Sequence, residues 1–175
     1  MKIQFNRFLT HSLLTAALTG AASMAAAATM EVYKSPTCGC CAKWVDHMRD
    51  NGFTVNIHDI GNDEARAEAG ILPELGSCHT ALVNGYAIEG HVPADDIKQL
   101  LKERPRAVGL SAPGMPHGSP GMETGRVDTY NVLLIRKAGD KRSATEIYNR
   151  YGPGKSGAAE KTSENSTTES VLRLK

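Results

Sequence analysis

No charge of one sign prevails in this chain: 20 Lys+Arg stand against 19 Asp+Glu in 175 residues, for a formal net charge of +1. That balance leaves no broad basic footprint for nucleic acid. Charged residues make up 22% and hydrophobic residues 41%, an ordinary mix that excludes a chain disordered throughout. Cysteine is sparse, with four in all, too few for a disulfide scaffold on density alone. No internal repeat is visible. After the first 28 residues no long apolar run recurs, so the mature chain is expected to be soluble, with no membrane association. The length suits one domain with a tail, at roughly 100–200 residues per domain.

The first 28 residues read as an address. Lys2 and Arg7 are the only charges in 1–28, ahead of an Ala- and Leu-rich run that ends in Ala25-Ala26-Ala27-Ala28. Charged start, apolar middle and small-residue exit make a secretory signal peptide. The run is weakly apolar and has no charged stop-transfer flank, which argues against a membrane anchor. Export places the protein in the periplasm and its cysteines in an oxidising compartment.

The mature chain predicts an α/β fold. Met30–Lys34 reads as a strand, and Cys41–Asn51 as an amphipathic helix with Trp44, Val45 and Met48 on one side, closed by Gly52. Residues 53–58 alternate as a second strand, and Asn62 is placed to cap a short helix through Ala69. Thr80–Val83 and Tyr86–Glu89 flank Asn84-Gly85, the signature of a two-residue hairpin. Pro93 opens a helix over 94–104, with Ile97, Leu100 and Leu101 on its apolar face. The order is β-α-β-α-β-β-α, a small sandwich over 29–105. Residues 106–151 form an extension: an irregular Gly/Pro/Ser-rich loop over 109–121, then strands at 130–136 and 144–148 joined by a turn at Gly139-Asp140. From Gly152 to Lys175 the chain reads as a disordered polar tail.

Cys38-Gly39-Cys40-Cys41 sits between the first strand and the first helix. Unpaired N–H groups at a helix start stabilise thiolate, which is both redox nucleophile and metal ligand. Cys78 stands just before the third strand, which can lie close to that turn, so all four sulfurs can converge. Three chemistries compete. Two plain disulfides are awkward, because adjacent Cys40 and Cys41 make a strained bridge, although one local pair plus a bridge to Cys78 is allowed. A thiol–disulfide oxidoreductase needs only Cys38 and Cys41. A soft-metal site uses all four. Zinc, the alternative metal, usually spaces paired ligands as C-x2-4-C; the tighter C-x-C-C suits sulfurs bridging several Cu(I) ions.

Residues 113–122, Pro-Gly-Met-Pro-His-Gly-Ser-Pro-Gly-Met, add Met115, His117 and Met122. A Met set among Gly and Pro has little core to fill, unlike Met48 on its helix. Thioether favours Cu(I), and imidazole also accepts Cu(II). His79 and His91 stand behind these as further imidazole candidates, whereas His47 and His58 read as surface or structural.

Val32-Tyr-Lys-Ser-Pro-Thr-Cys-Gly-Cys-Cys41, Trp44, Cys78-His-Thr80 and the 114–122 segment together resemble the CopG copper-resistance proteins of Gram-negative periplasms, over about Met30–Met122. The resemblance implies a thioredoxin-like domain whose C-x-C-C motif holds a multinuclear, thiolate-bridged copper cluster. Cys38, Cys40, Cys41 and Cys78 fall on its thiols, and Met115, His117 and Met122 on its C-terminal metal loop. It further implies interconversion of Cu(I) and Cu(II) for copper resistance and export, with efflux components or a copper chaperone as partners. A copper store or shuttle would use the same ligands. Cys40 stands where thioredoxin has proline, and Cys78-His79-Thr80 where its cis-proline loop would be, so ordinary disulfide exchange is disfavoured.

Overall fold

The computed structural model describes residues 27–137, 139 and 144–154. Most of the expected leader and polar tail, and part of the turn at Gly139-Asp140, lie outside the described residues. Among the described residues no helix is long and apolar enough to cross a membrane.

The first half follows the alternation of its apolar residues. In β1 (Thr29–Lys34), Met30, Val32 and Lys34 are buried on one face. Helix α1 (Gly39–Asp50) buries Cys41, Trp44, Val45 and Met48, the spacing of one helical face. Next come β2 (Thr54–His58), α2 (Asp63–Glu68) and a 3-10 turn at Pro73–Leu75 that sequence patterning missed. Strands β3 (His79–Val83) and β4 (Tyr86–Gly90) form the expected hairpin. Asn84 and Gly85 both take positive φ there, 46° and 80°, as a mirror-image two-residue turn requires. Pro93 occupies the N-cap of α3 (Ala94–Glu103), and Arg104 closes the helix in the left-handed region.

Two expectations are corrected. Residues 109–121 are not loop throughout, because β5 (Ala107–Ala112) runs through their first part. Gly109 belongs there for a packing reason: a Cβ would lie 1.7 Å from the Ala87 carbonyl oxygen, and the pairing with the next strand shifts register between Ala107 and Gly109. Glycine in a strand marks such an approach. Asn62 holds the N-cap position of α2 but makes no side-chain cap bond; its amide donates instead to Ser77 O and Thr80 Oγ1.

Strands β6 (Tyr130–Arg136) and β7 (Thr145–Tyr151) complete one seven-stranded sheet of order β2-β1-β3-β4-β5-β6-β7. Pairs β1–β2 and β4–β5 are parallel and the others antiparallel. This is the expected α/β class. The extension continues the sheet: Leu110, Val132 and Leu134 share one buried cluster with Trp44, Met48, Ile88, Ile97 and Leu100. Each such aliphatic side chain contributes about 1.5–3 kcal/mol by leaving water. The C-terminal end of β1 and the start of β3 are neighbours in this sheet, Lys34 pairing with His79. That register brings Cys78 to the cysteines after β1.

Candidate metal centre

Cys38 is the N-cap of α1, and its sulfur accepts the Cys41 N–H at 3.3 Å. The first turn of α1 carries no acidic residue, so sulfur is the partner for the positive end of the helix. Cys40 and Cys41 follow in that turn. Cys38 and Cys41 form a disulfide, whereas Cys40 and Cys78 are free. Of the pairings open to the sequence, the structure holds the local Cys38–Cys41 bridge and leaves Cys40 and Cys78 as thiols.

Cys78 closes the group. Its Sγ lies 3.3 Å from Cys41 Sγ and 3.8 Å from Cys40 Sγ, and Cys40 Sγ is 3.5 Å from Cys38 Sγ. The four sulfurs all lie within 4.8 Å of one another, so the expected convergence is present. Burial, followed by the neighbouring Cys40, pushes the Cys78 thiol up to about 12. A proton there leaves readily only to something that replaces its charge, such as a bound cation.

Two imidazoles extend the group. His91 Nε2 is 3.1 Å from Cys78 Sγ, and His79 Nδ1 is 3.5 Å from it; these three residues form a second cluster of mutually close donor atoms. His91 Nδ1 donates to Pro120 O at 2.8 Å, which leaves Nε2 as the ring's lone pair toward the sulfur. His79 is fully buried, its ring 4.3 Å from that of Trp44 and 5.1 Å from that of His91. Its Nε2 makes no hydrogen bond of normal geometry. Burial first, then His91, holds His79 well below its usual range; burial likewise lowers His91. Both shifts favour the neutral ring, the state in which imidazole binds metal. Soft sulfurs with imidazole nitrogens beside them fit a thiophilic metal ion.

The segment after β5 crosses this site and is fastened at both ends. At one end Gly114 N donates to Gly76 O, and Ser77 Oγ donates to Gly114 O. At the other, Gly121 (φ 83°) packs so closely on α1 that a Cβ would lie 2.6 Å from Cys40 O and 2.9 Å from Trp44 N. Met122 is buried beside that contact, whereas Met115 is 49% exposed. His117 Nδ1 is bonded to Thr124 Oγ1 at 2.6 Å, and its backbone is tied to Asp128; among the described residues it joins neither donor cluster. His91, with two ring nitrogens placed by identifiable partners, is the better-seated imidazole. Its sequence signal was only a histidine just beyond a strand of the same hairpin as Cys78. His47 is structural as expected: its Nε2 accepts the Ala94 N–H at the start of α3.

Fold and site together define an α/β protein with a sulfur-dense donor cluster at a helix N-terminus. Residues 75–122 match the family described as protein of unknown function, DUF411. Two solved structures of copper resistance protein CopG are similar. Form 2 is 39% identical, covering 71% of this chain and 98% of that chain with a TM-score of 0.65. Form 1 is 40% identical, covering 70% and 96%, with a TM-score of 0.64. No curated protein matches. The chain belongs to the CopG family of copper resistance proteins.

Proposed function

We propose that this protein, once a thiol reductant has opened the Cys38–Cys41 disulfide to two thiols by a two-electron reduction, binds copper through Cys38, Cys40, Cys41 and Cys78, with His91 and His79 beside them and Met122, Met115 and His117 on the covering segment. The observation that carries this reading is the approach of four sulfurs within 4.8 Å of one another, with an imidazole nitrogen 3.1 Å from one of them. Thiolate selects Cu(I), imidazole serves either oxidation state, and this sulfur density suits several bridged ions better than one tetrahedral zinc. Copper supplies one-electron chemistry between its two states, so the same site is read as interconverting them for copper resistance. The chain's own part is to present the sulfurs at a positive helix end, hold the imidazoles neutral, and shield the donors with the 113–128 segment. The strand and helix order around Cys38 supports a thioredoxin-like reading of the first half. The basic and Ala-rich leader supports export to the periplasm, where efflux components or a copper chaperone would exchange metal with it.

Elemental analysis of protein purified from the exported fraction of copper-fed cells tests this. More than one copper per chain is expected, falling in Cys40→Ser and in Cys78→Ser. Less than one copper per chain after anaerobic handling contradicts it.

A second reading rests on the Cys38–Cys41 disulfide at the α1 N-terminus, the arrangement of a thiol–disulfide oxidoreductase. It requires insulin-reducing activity that survives Cys78→Ser and is lost in Cys38→Ser.

A further inference from the structure

Ser77, the residue before Cys78, is held through every polar group it has. Its N–H donates to Glu89 Oε1 at 2.6 Å. Its carbonyl accepts from Arg66 Nη2 at 2.6 Å and from Asn62 Nδ2 at 3.4 Å. Its hydroxyl donates to Gly114 O. The Glu89 carboxylate that receives the N–H is fully buried. Its Oε1 also takes Arg66 Nε at 2.9 Å, and its Oε2 takes the Thr80 hydroxyl at 2.6 Å.

A buried ion pair is weak evidence for a stability role, because desolvating the two charges offsets much of their attraction. Apolar packing would fill this space at least as well. What apolar packing cannot do is grip the N–H and the C=O of one residue from opposite sides. Glu89 and Arg66 do that to Ser77, one bond away from the backbone of Cys78. On the other side of Cys78, His79 is fixed by its pairing with Lys34 and its ring contact with Trp44. The backbone has been shaped to admit the grip. Gly90 takes φ 71°, and a Cβ there would lie 2.5 Å from both Cβ and Oγ of Ser77 and 2.8 Å from Ala112 O.

We propose that Glu89, with Arg66, is a positioning residue for the fourth sulfur: it fixes Ser77 so that Cys78 Sγ stands against Cys41, Cys40 and His91, and it seats the covering segment on the same residue through Gly114. The proposal rests on the copper reading for its consequence, but the positioning itself is measurable without metal.

The first test uses metal-free, full-length protein with the Cys38–Cys41 bridge intact, in which Cys40 and Cys78 are the free thiols. Maleimide labelling with peptide mapping gives the rate at Cys78 relative to Cys40. Glu89→Ala is expected to raise that ratio about tenfold, the scale of one lost charge-assisted hydrogen bond, and Glu89→Gln about threefold. The second test is Cu(I) competition against a chromophoric chelator, with the Cys38–Cys41 bridge reduced beforehand so that all four sulfurs are thiols. Glu89→Ala is expected to weaken binding as much as Cys78→Ser does, and Glu89→Ala/Cys78→Ser no more than Cys78→Ser alone.

An unchanged labelling ratio in Glu89→Ala, or copper losses that multiply in the double variant, overturns the proposal. If Glu89→Ala does not fold, Glu89→Gln decides, and an unchanged ratio there overturns it equally. Wild-type protein that binds no copper would defeat the function proposed above while leaving the labelling result to stand or fall by itself.

Discussion

Cys78 Sγ lies 3.3 Å from Cys41 Sγ across a sequence separation of 37 residues. The contact follows from sheet register. Lys34 at the end of β1 pairs with His79 at the start of β3, so the residue before β3 must meet the turn after β1. Any change that moves that register moves the Cys78 sulfur away from the other three.

The two histidine positions are predicted to behave differently. His91→Ala removes the nitrogen 3.1 Å from Cys78 Sγ and should weaken Cu(I) binding by at least about tenfold. His117→Ala removes a ring engaged with Thr124 and should weaken it less. Competition titration against a Cu(I) chelator measures both. A larger loss in His117→Ala would place the imidazole ligand on the covering segment instead.

Trp44 is fully buried, and its Nε1 donates to Val92 O at 2.9 Å. Trp44→Phe leaves that carbonyl without its partner and should cost about 1–3 kcal/mol. Trp44→Ala adds a cavity and should cost about 3–5 kcal/mol. Urea unfolding of the metal-free protein reads both. Equal costs would show that the cavity adds nothing beyond the lost hydrogen bond.

Gly121 and Gly125 separate steric contact from backbone strain. Both have positive φ, 83° and 86°, but only Gly121 faces Cys40 O and Trp44 N; nothing lies within 4 Å of a Cβ at Gly125. Gly125→Ala should cost about 1–2 kcal/mol from the left-handed backbone, and Gly121→Ala about 1–3 kcal/mol more from the clash. Gly121→Ala should also speed proteolysis within 113–128. Equal behaviour of the two variants would contradict the seating of this segment on α1.

Asp96 supplies the pH dependence. Its carboxylate accepts from Asn149 Nδ2 at 2.9 Å and Tyr151 Oη at 2.8 Å, joining α3 to β7. Burial, the largest influence, raises its pKa above the ordinary 3.8, outweighing both hydrogen bonds. The folded state therefore holds the proton more tightly than the unfolded state. The stability this contributes is fully present below about pH 3.8 and is lost as pH rises through the raised folded value. The thermal midpoint of Asp96→Asn minus that of wild type should grow more positive as pH rises through that window, then level off. A difference that stays flat, or falls, would show that the carboxylate is better stabilised as an anion than its burial implies.

Much of this was legible in the chain because local chemistry and tertiary position agree. Asn84-Gly85 announces a turn whose positive φ angles are realised, and Trp44, Val45 and Met48 announce the face that α1 buries. Four cysteines at one strand-to-helix turn and one strand start announced their own meeting. Strand β5 was hidden because Gly109 reads as a loop residue when its reason lies in the Ala87 backbone of another strand. Asn62 looked like a helix cap, yet its amide is spent on Ser77 and Thr80, groups far along the sequence. Met115, His117 and Met122 shared one composition, while their differing burial depends on where Gly114 and Gly121 are fastened. The Glu89–Arg66 pair gave no signal at all. An acidic residue in a strand and a basic one in a short helix are commonplace until their shared hold on Ser77 is seen.

Copper X-ray absorption of the reduced, copper-loaded full-length chain bears most directly on the claim that the four sulfurs form one metal site. A first shell dominated by sulfur with a nitrogen contribution, losing part of its sulfur in Cys78→Ser, is the predicted result. A shell of nitrogen and oxygen alone, unchanged by Cys78→Ser, would contradict it.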